Sequence, residues 1–419
     1  NNSHVAKANQ LALLAGYNYA MTLELARRDY MLGEVNRDRG EYRQITGVEA
    51  VGLAIATIAT STQVPMLVSG YPITPSSAIL HECARLADFG VQLLQAEDEI
   101  AAICSCIGAA YGGLLALTAT SGPGLDLKSE SLGLAVVAEL PLVLLDVQRA
   151  GASTGLPTKT SQSDLRQALY GRHGEAPLPV LAAQSAADCF NTVLEAFYLA
   201  IKYMTPVIVL LDAYLANAAE PWGIPDISTL KLPKIEFNRF PKPFMRDVFL
   251  SRSWNKPGTP GHIHQLGGLE KQGEEGRVSY DAENHQKMVH LRQQKINGIV
   301  RDYDSLQIEG DANASMVLIG WGSTYGSLKS AVLHCLEEDL PIAYIHLRHL
   351  NPLPDDLGCL LKAYDKVLVA ELNSGHLCQI IRATYLVDAQ VISQSNGQPF
   401  TVSYLVNTIK AEANYEQQF

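Results

Sequence analysis

The chain has 419 residues, 47% hydrophobic and 18% charged, which excludes a disordered or fibrous protein and leaves room for two or three domains. Its formal net charge of -11 excludes a surface built to displace counterions from nucleic-acid phosphates, so charged partners should be basic or neutral. Seven cysteines without a C-x-x-C spacing, no secretory segment and no apolar run of about eighteen residues point to a reduced, cytoplasmic, soluble chain with no iron–sulfur cluster of its own.

The first residue is not Met, which predicts that an N-terminal part is missing. From Val5 to Arg28, Leu11, Leu14, Ala15, Tyr17 and Leu23 fall at mixed helical spacing, and the charged stretch from Arg28 to Arg43 reads as a linker. Between Ile45 and Asp212 short apolar runs alternate with helical patterns. Strands are predicted at Met66 to Val68, Val91 to Leu94, Leu115 to Thr118, Leu142 to Asp146 and Val207 to Leu211, which is the pattern of a parallel α/β sheet. From Glu220 to about Ala314 the periodicity fails and Pro, Gly and His accumulate, so a long irregular connection is expected. His262, His264, His285 and His290 within it lack an established ligand spacing; they read as solvated loop histidines, with no metal. A second α/β unit starts at Met316, with strands MVLIG, IAYIHL and KVLVAEL, helices from Ser327 and near Asp355, and a last helix near Val402.

Parallel sheets bind ligands at the carboxyl ends of their strands. YPITPSS follows the first predicted strand, Glu99 the second, SGPG the third and QRAGASTG the fourth, so all four motifs fall at that end. Glu99 opens a helix of small residues, Ala101 to Gly113, in which Cys104 and Cys106 should be buried. Its carboxylate is either an ordinary charge in a first helical turn or the glutamate that thiamine diphosphate requires against its aminopyrimidine ring, and the residues alone leave these even. Glu97 and Asp98 read as solvated or hinge residues. In Pro-x-Thr-Pro-Ser, Pro72 and Pro75 stiffen the turn and Ser76 or Ser77 should cap the next helix, which frees the Thr74 hydroxyl for a ligand. The Arg149 fork suits a carboxylate, or else an ion pair with Asp146 or Asp164. Thr154 and Lys159 follow in the same loop, and Lys159 is either a second cation for a distal carboxylate or a plain surface lysine.

Together SGYPITPSS, QAEDEIAA, TSGPG and DVQRAGASTGLPTKTSQSDL resemble the α subunit of 2-oxoacid:ferredoxin oxidoreductases, and the pattern is closest to those acting on 2-oxoglutarate. The resemblance runs from Gly40 to the C-terminus. It implies two parallel-sheet thiamine-enzyme-type domains, a pyrimidine-binding domain at 44–219 and a transketolase C-terminal-like domain at 315–419, joined by the irregular 220–314 connection. Residues 1–43 would be a helical segment and linker, a remnant of the γ-type domain that precedes this region in fused members. Within that family Glu99 matches the cofactor-activating glutamate, and Thr74 and Arg149 the contacts to the substrate's first carboxylate; Thr154 and Lys159, next in the same loop, are the candidates for the rest of the substrate site. Tyr71, Pro72, Ile73, Glu99, Ser121 and Gly122 would meet the cofactor. AGASTG stands where relatives read GGPSTG, so Ala150 and Ala152 alter that loop.

Nothing here matches the GDG…N segment that holds the diphosphate through Mg²⁺; Gly310 and Asp311 lie in a polar stretch without the following helix. A β subunit would therefore supply that segment, Mg²⁺ and a [4Fe-4S] cluster, in a dimer of αβ heterodimers. The implied reaction is the CoA-dependent oxidative decarboxylation of 2-oxoglutarate to succinyl-CoA and CO₂ with ferredoxin as acceptor, or its reductive reverse. Alternatives are branched-chain 2-oxoacids or pyruvate as substrate, or a non-catalytic assembly subunit. Neither nucleic acid nor membrane is an expected partner.

Overall fold

A computed structural model describes residues 3–23 and 39–416; most of the expected N-terminal linker lies outside them. Two units are distinguished, residues 1–41 and 42–419. In the first, α1 (Ser3–Thr22) is a single helix with no buried residue.

The second unit begins with β1 (Tyr42–Thr46) and α2 (Gly47–Thr62), whose start is fixed by a reciprocal capping box between Thr46 and Glu49. The chain continues through β2 (Met66–Gly70), α3 (Ser77–Cys83), β3 (Val91–Gln95), α4 (Glu99–Tyr111), β4 (Leu115–Thr120), α5 (Gly122–Leu127), α6 (Ser129–Ala138) and β5 (Leu142–Gln148). Then come α7 (Leu165–Tyr170), β6 (Val180–Ala182), α8 (Asp188–Tyr203), β7 (Pro206–Asp212), α9 (Ala213–Asn217) and β8 (Ala219–Gly223). The stretch read as irregular holds a short hairpin, β9 (Lys271–Gln272) and β10 (Arg277–Val278), and a 16-residue helix, α10 (Ala282–Asn297). Its sequence AENHQKMVHLRQQKIN buries only Arg292, Lys295 and Ile296, so no apolar period marks it. The C-terminal part runs β11 (Ile308–Gly310), β12 (Met316–Trp321), α11 (Tyr325–Glu337), β13 (Ala343–Leu347), β14 (His349–Asn351), α12 (Leu357–Leu361), β15 (Lys366–Glu371), α13 (His376–Tyr385), β16 (Ala389–Ser393) and α14 (Val402–Glu416).

Two sheets organise these elements, and the α/β class with parallel strands is as expected from the apolar runs. The first has the order β14-β6-β7-β5-β4-β2-β3, all parallel except β14. Its central strands β4, β5 and β7 are buried at every residue, because helices cover both faces. The second has the order β11-β13-β12-β15-β16, with only β11 antiparallel. One apolar layer packs α2, α3 and α8 on the first sheet. A shared layer, with Ile103, Leu125 and Leu132 on one side and Trp321, Leu357 and Leu377 on the other, joins the two sheets. A third packs α11 and α14 behind the second sheet.

The strand order reverses direction between β2 and β4: the chain leaves β2 toward the edge strand β3, then crosses back to β4 and moves on to β5. Such a reversal opens a crevice at the carboxyl ends of the two strands, where open α/β sheets take their ligands.

Candidate functional site

Four connections meet at this crevice, and each is shaped by local sequence. After β2, the turn closes on Ile73, whose carbonyl accepts from the Ser77 main-chain N–H and hydroxyl, both at 2.9 Å. The Ser77 hydroxyl also accepts from the Ile73 N–H at 2.9 Å, and Ser76 occupies the cap position of α3 without a side-chain capping bond. The expected serine cap is thus replaced by a clamp on Ile73, and Thr74 is left exposed with Pro72. Tyr71, one residue past β2, turns inward: its hydroxyl bonds Thr120 Oγ1 at 2.6 Å and so spans the crevice from β2 to β4. Burial raises the Tyr71 pKa, and nearby Glu99 raises it further, so the phenol stays un-ionised.

After β3, α4 begins at Glu99. Asp98 is its cap, accepting the Ala101 N–H at 2.8 Å, so Asp98 is a structural residue rather than a hinge, while Glu97 is exposed. Small side chains let α4 lie on β2 and β4: the Ser105 hydroxyl donates to Ser69 Oγ at 2.8 Å, and Cys106 Sγ reaches the Leu117 carbonyl at 3.2 Å. Burial pushes the Cys106 thiol up to about 12. Cys104 was expected to be buried with it but is exposed, because only one stripe of α4 (Ala102, Ile103, Cys106, Ala110) packs inward. The other stripe, with Ile100, Ala101 and Gly108, is open, and a side chain at Gly108 would meet nothing.

After β4, Ser121 is buried and its carbonyl accepts the Gly124 N–H at 2.7 Å, forming the turn into α5. Gly124 is a true cradle residue, since any Cβ there would overlap the Tyr71 hydroxyl and Thr120 Oγ1 and press on Glu99 Cγ. The structure therefore gathers Tyr71, Glu99, Thr120 and Gly124 in one place. Beneath them Lys128, fully buried, donates from Nζ to the Glu99 carbonyl at 2.6 Å and lies 4.8 Å from the Tyr71 ring centre. Burial lowers its pKa to about 8. Lys128 was missed in the sequence, although Leu125, Lys128, Leu132 and Ala135 share one helical stripe that marked it as inward-facing.

After β5, Arg149 is buried; among the described residues it makes no ion pair and its Nε has no partner, while its Nη1 donates to the Thr74 carbonyl at 2.6 Å. The expected ion pairs with Asp146 or Asp164 are not formed. Instead the guanidinium ties the loop after β5 to the turn after β2. The loop 150–159 closes through Ala150 N–H to the Lys159 carbonyl at 3.1 Å, which returns Lys159 to the Arg149 end of the loop; Thr154 and Lys159 are exposed. Gly122 packs against Asp164, which neither motif nor composition flagged as part of this turn.

Of the four histidines in the connection, His285 and His290 are exposed as expected, although they stand on α10 rather than in a loop, and the other two are not fully solvated. His262 and His264 are half-buried, His264 Nδ1 contacts the His262 carbonyl at 2.8 Å, and its ring packs edge-on against Tyr111 at the end of α4 and against Phe244. Among the described residues, no cluster of three or more His, Cys, Asp or Glu is arranged to hold a metal ion.

A family described as "Pyruvate flavodoxin/ferredoxin oxidoreductase, thiamine diP-bdg" matches residues 58–288. The 2-oxoglutarate oxidoreductase subunit KorA of Mycobacterium tuberculosis is 48% identical over 412 residues, covering 97% of this chain and 63% of that protein. The 2-oxoglutarate synthase subunit KorA of Methanocaldococcus jannaschii is 37% identical, covering 74% of this chain and 84% of that one. Among solved structures, a 2-oxoglutarate:ferredoxin oxidoreductase from Magnetococcus marinus, with 2-oxoglutarate, coenzyme A and succinyl-CoA bound, superposes with a TM-score of 0.87 at 34% identity, covering 95% of this chain and 70% of that chain. The chain thus spans less than two thirds of the mycobacterial relative's length.

Proposed function

The chain belongs to the 2-oxoacid:ferredoxin oxidoreductase family, and from that premise we propose that it is the α-type subunit of an enzyme converting 2-oxoglutarate, CoA and two oxidised ferredoxins to succinyl-CoA, CO₂, a proton and two reduced ferredoxins, or running the reverse. The observation that carries this reading is the convergence of Tyr71, Glu99, the Thr120–Gly124 turn and Arg149 at the carboxyl ends of four adjacent parallel strands. The relatives named for 2-oxoglutarate support the choice of substrate.

The site fits the pyrimidine half of thiamine diphosphate. Gly124 leaves the cradle bare beside Glu99, and the open stripe of α4 offers small side chains to a flat ring. Tyr71, Pro72, Ile73, Ser121 and Gly122 would line the ring, and the Glu99 carboxyl would share a proton with it. When bound, the cofactor supplies the electron sink for decarboxylating a 2-oxo acid. Arg149 would orient the acid's first carboxylate with the help of Thr74, and Thr154 and Lys159 would meet the distal one.

A second subunit would supply the diphosphate and Mg²⁺ site and the [4Fe-4S] cluster, and the exposed Leu93, Leu94, Ile100 and Leu127 around α4 suit its docking. We assign 44–219 to the pyrimidine-binding domain, 220–314 to the connection and 315–419 to the transketolase C-terminal-like domain, with 1–43 as a helical segment and linker. No helix among the described residues is long and apolar enough to cross a membrane, and a cytoplasmic place is proposed for the assembly. The test is a substrate panel on the purified complex, with CoA and a one-electron acceptor. Acceptor reduction with 2-oxoglutarate well above that with pyruvate or branched-chain 2-oxoacids is expected; a preference for either of those would reassign the substrate, and none at all would favour an assembly role.

A further inference from the structure

Asp146 lies in β5 opposite Thr120 of β4 and Leu210 of β7, in the middle of the first sheet, and is fully buried. Neither of its carboxyl oxygens receives an N–H or O–H from the described residues. Asp164, at the cap position of α7, is brought to the same side of the sheet, because it is bonded to Gln148, two residues along β5 from Asp146. The Asp164 main-chain N–H donates to Gln148 Oε1 at 3.1 Å, Oδ1 receives the Ser163 hydroxyl at 3.3 Å, and Oδ2 has no partner. Its carboxyl also rests on Gly122, where a Cβ would come 2.9 Å from Oδ1. No cation forms an ion pair with either aspartate among the described residues. Two desolvated carboxylates without a counter-charge are costly, and the cheapest arrangement is one proton held between them.

We propose that Asp146 and Asp164 form a proton-sharing carboxyl pair that fastens the Arg149 end of β5 to the 160–164 segment and to the turn after β4, and that losing the shared proton loosens this fastening. The pair acts as a positioning element for Arg149, whose carbonyl is also held by the Ser163 hydroxyl at 3.2 Å. The charged groups facing it are Asp126 from α5, which opposes ionisation, and Arg149, which favours ionisation of Asp164. Burial, and then the facing carboxyls, push Asp146 well above the usual carboxylate range, and burial pushes Asp164 up to about 6. The sign follows: above the ordinary value of 3.8 the unfolded chain gives up both protons while the folded chain keeps at least one, so stability falls as pH rises through 6 and beyond.

The test compares melting of the purified complex at pH 5 to 9 with that of its Asp146→Asn and Asp164→Asn variants. An asparagine offers a permanent donor to the remaining carboxylate, so each variant should gain on the wild type as pH rises, the difference in Tm changing by about 2 °C or more across the range. A difference that stays constant with pH for both variants overturns the pair. Should neither variant fold, the infrared band of un-ionised carboxylic acid in the wild type at pH 7 decides: its absence overturns the pair, and its disappearance at higher pH together with a falling Tm supports it. The consequence for Arg149 rests on the function proposed above: in Asp146→Asn the pH at which KM for 2-oxoglutarate starts to rise should move upward. Melting and infrared readings need no substrate, so failure of the functional reading would leave the pair tested on its own.

Discussion

Glu99 is held through its main chain, by the buried ammonium of Lys128 on its carbonyl, and its carboxylate sits beside the Tyr71 phenol, half-exposed at the crevice. Arg149 is arranged in the opposite way. One arm of its fork is spent on the Thr74 carbonyl and fixes the guanidinium, while Nε has no partner among the described residues and would meet the proposed carboxylate. The positions of these two residues past the carboxyl ends of predicted strands were legible in the sequence, whereas the proposed Asp146–Asp164 pair was not, since its members lie 18 positions apart and only the fold brings them together. Arg149→Met should harm 2-oxoglutarate and 2-oxobutyrate alike, because both carry the first carboxylate. Lys159→Met should raise KM for 2-oxoglutarate by roughly tenfold, the scale of about 1.4 kcal/mol for one charge contact at a partly exposed position, and spare 2-oxobutyrate. Equal losses on the two substrates for Lys159→Met, or none, would remove Lys159 from the site.

α4 carries the site's geometry, and its start depends on one side chain. Asp98 accepts the Ala101 N–H, and at the other end the Trp254 indole donates to the Ala110 carbonyl at 2.8 Å. Asp98→Ala should cost about 1 kcal/mol of stability by removing the cap, measured by denaturant melts, and should lower turnover through Glu99 without touching the substrate dependence. Unchanged stability would mean that the helix start is set by Lys128 alone. Elements with strong apolar runs were readable: β2, β3, β4, β5, β7, β12, β13 and β15 all coincide with predicted strands to within a few residues. Those that escaped share a physical cause. β6 has three residues and β16 alternates weakly, α13 is amphipathic but only ten residues long, and α10 is polar nearly all round. The half-buried histidine loop escaped as well, because its packing on α4 comes from the tertiary fold.

The two sheets act as one body because a few polar side chains bridge them. Gln162 donates from Nε2 to the Trp321 carbonyl at 2.7 Å and accepts the Leu372 N–H at 2.8 Å, and the Asn373 amide returns to the Gln162 carbonyl at 2.8 Å. Glu371, fully buried, accepts the N–H groups of Leu377 and Cys378 and the Trp321 indole, so the segment ELNSGHL at 371–377 caps α13 and braces the interface. Strand β14 crosses over to extend the first sheet beside β6. Since Gln162 and Ser163 lie directly before Asp164, the C-terminal sheet backs the segment that Arg149 rests on, although it contributes none of the proposed ligand-facing residues. In the proposed function this whole arrangement presents Glu99 to a cofactor completed by a partner subunit. Its most direct test is steady-state, CoA-dependent acceptor reduction by the assembled complex carrying Glu99→Gln, beside Glu97→Gln as control. An amide cannot share a proton as a carboxyl does, so Glu99→Gln should fold and assemble normally yet lose at least about a hundredfold in kcat, while Glu97→Gln stays within about twofold. Near-normal turnover in Glu99→Gln, or collapse in Glu97→Gln alone, would contradict the account.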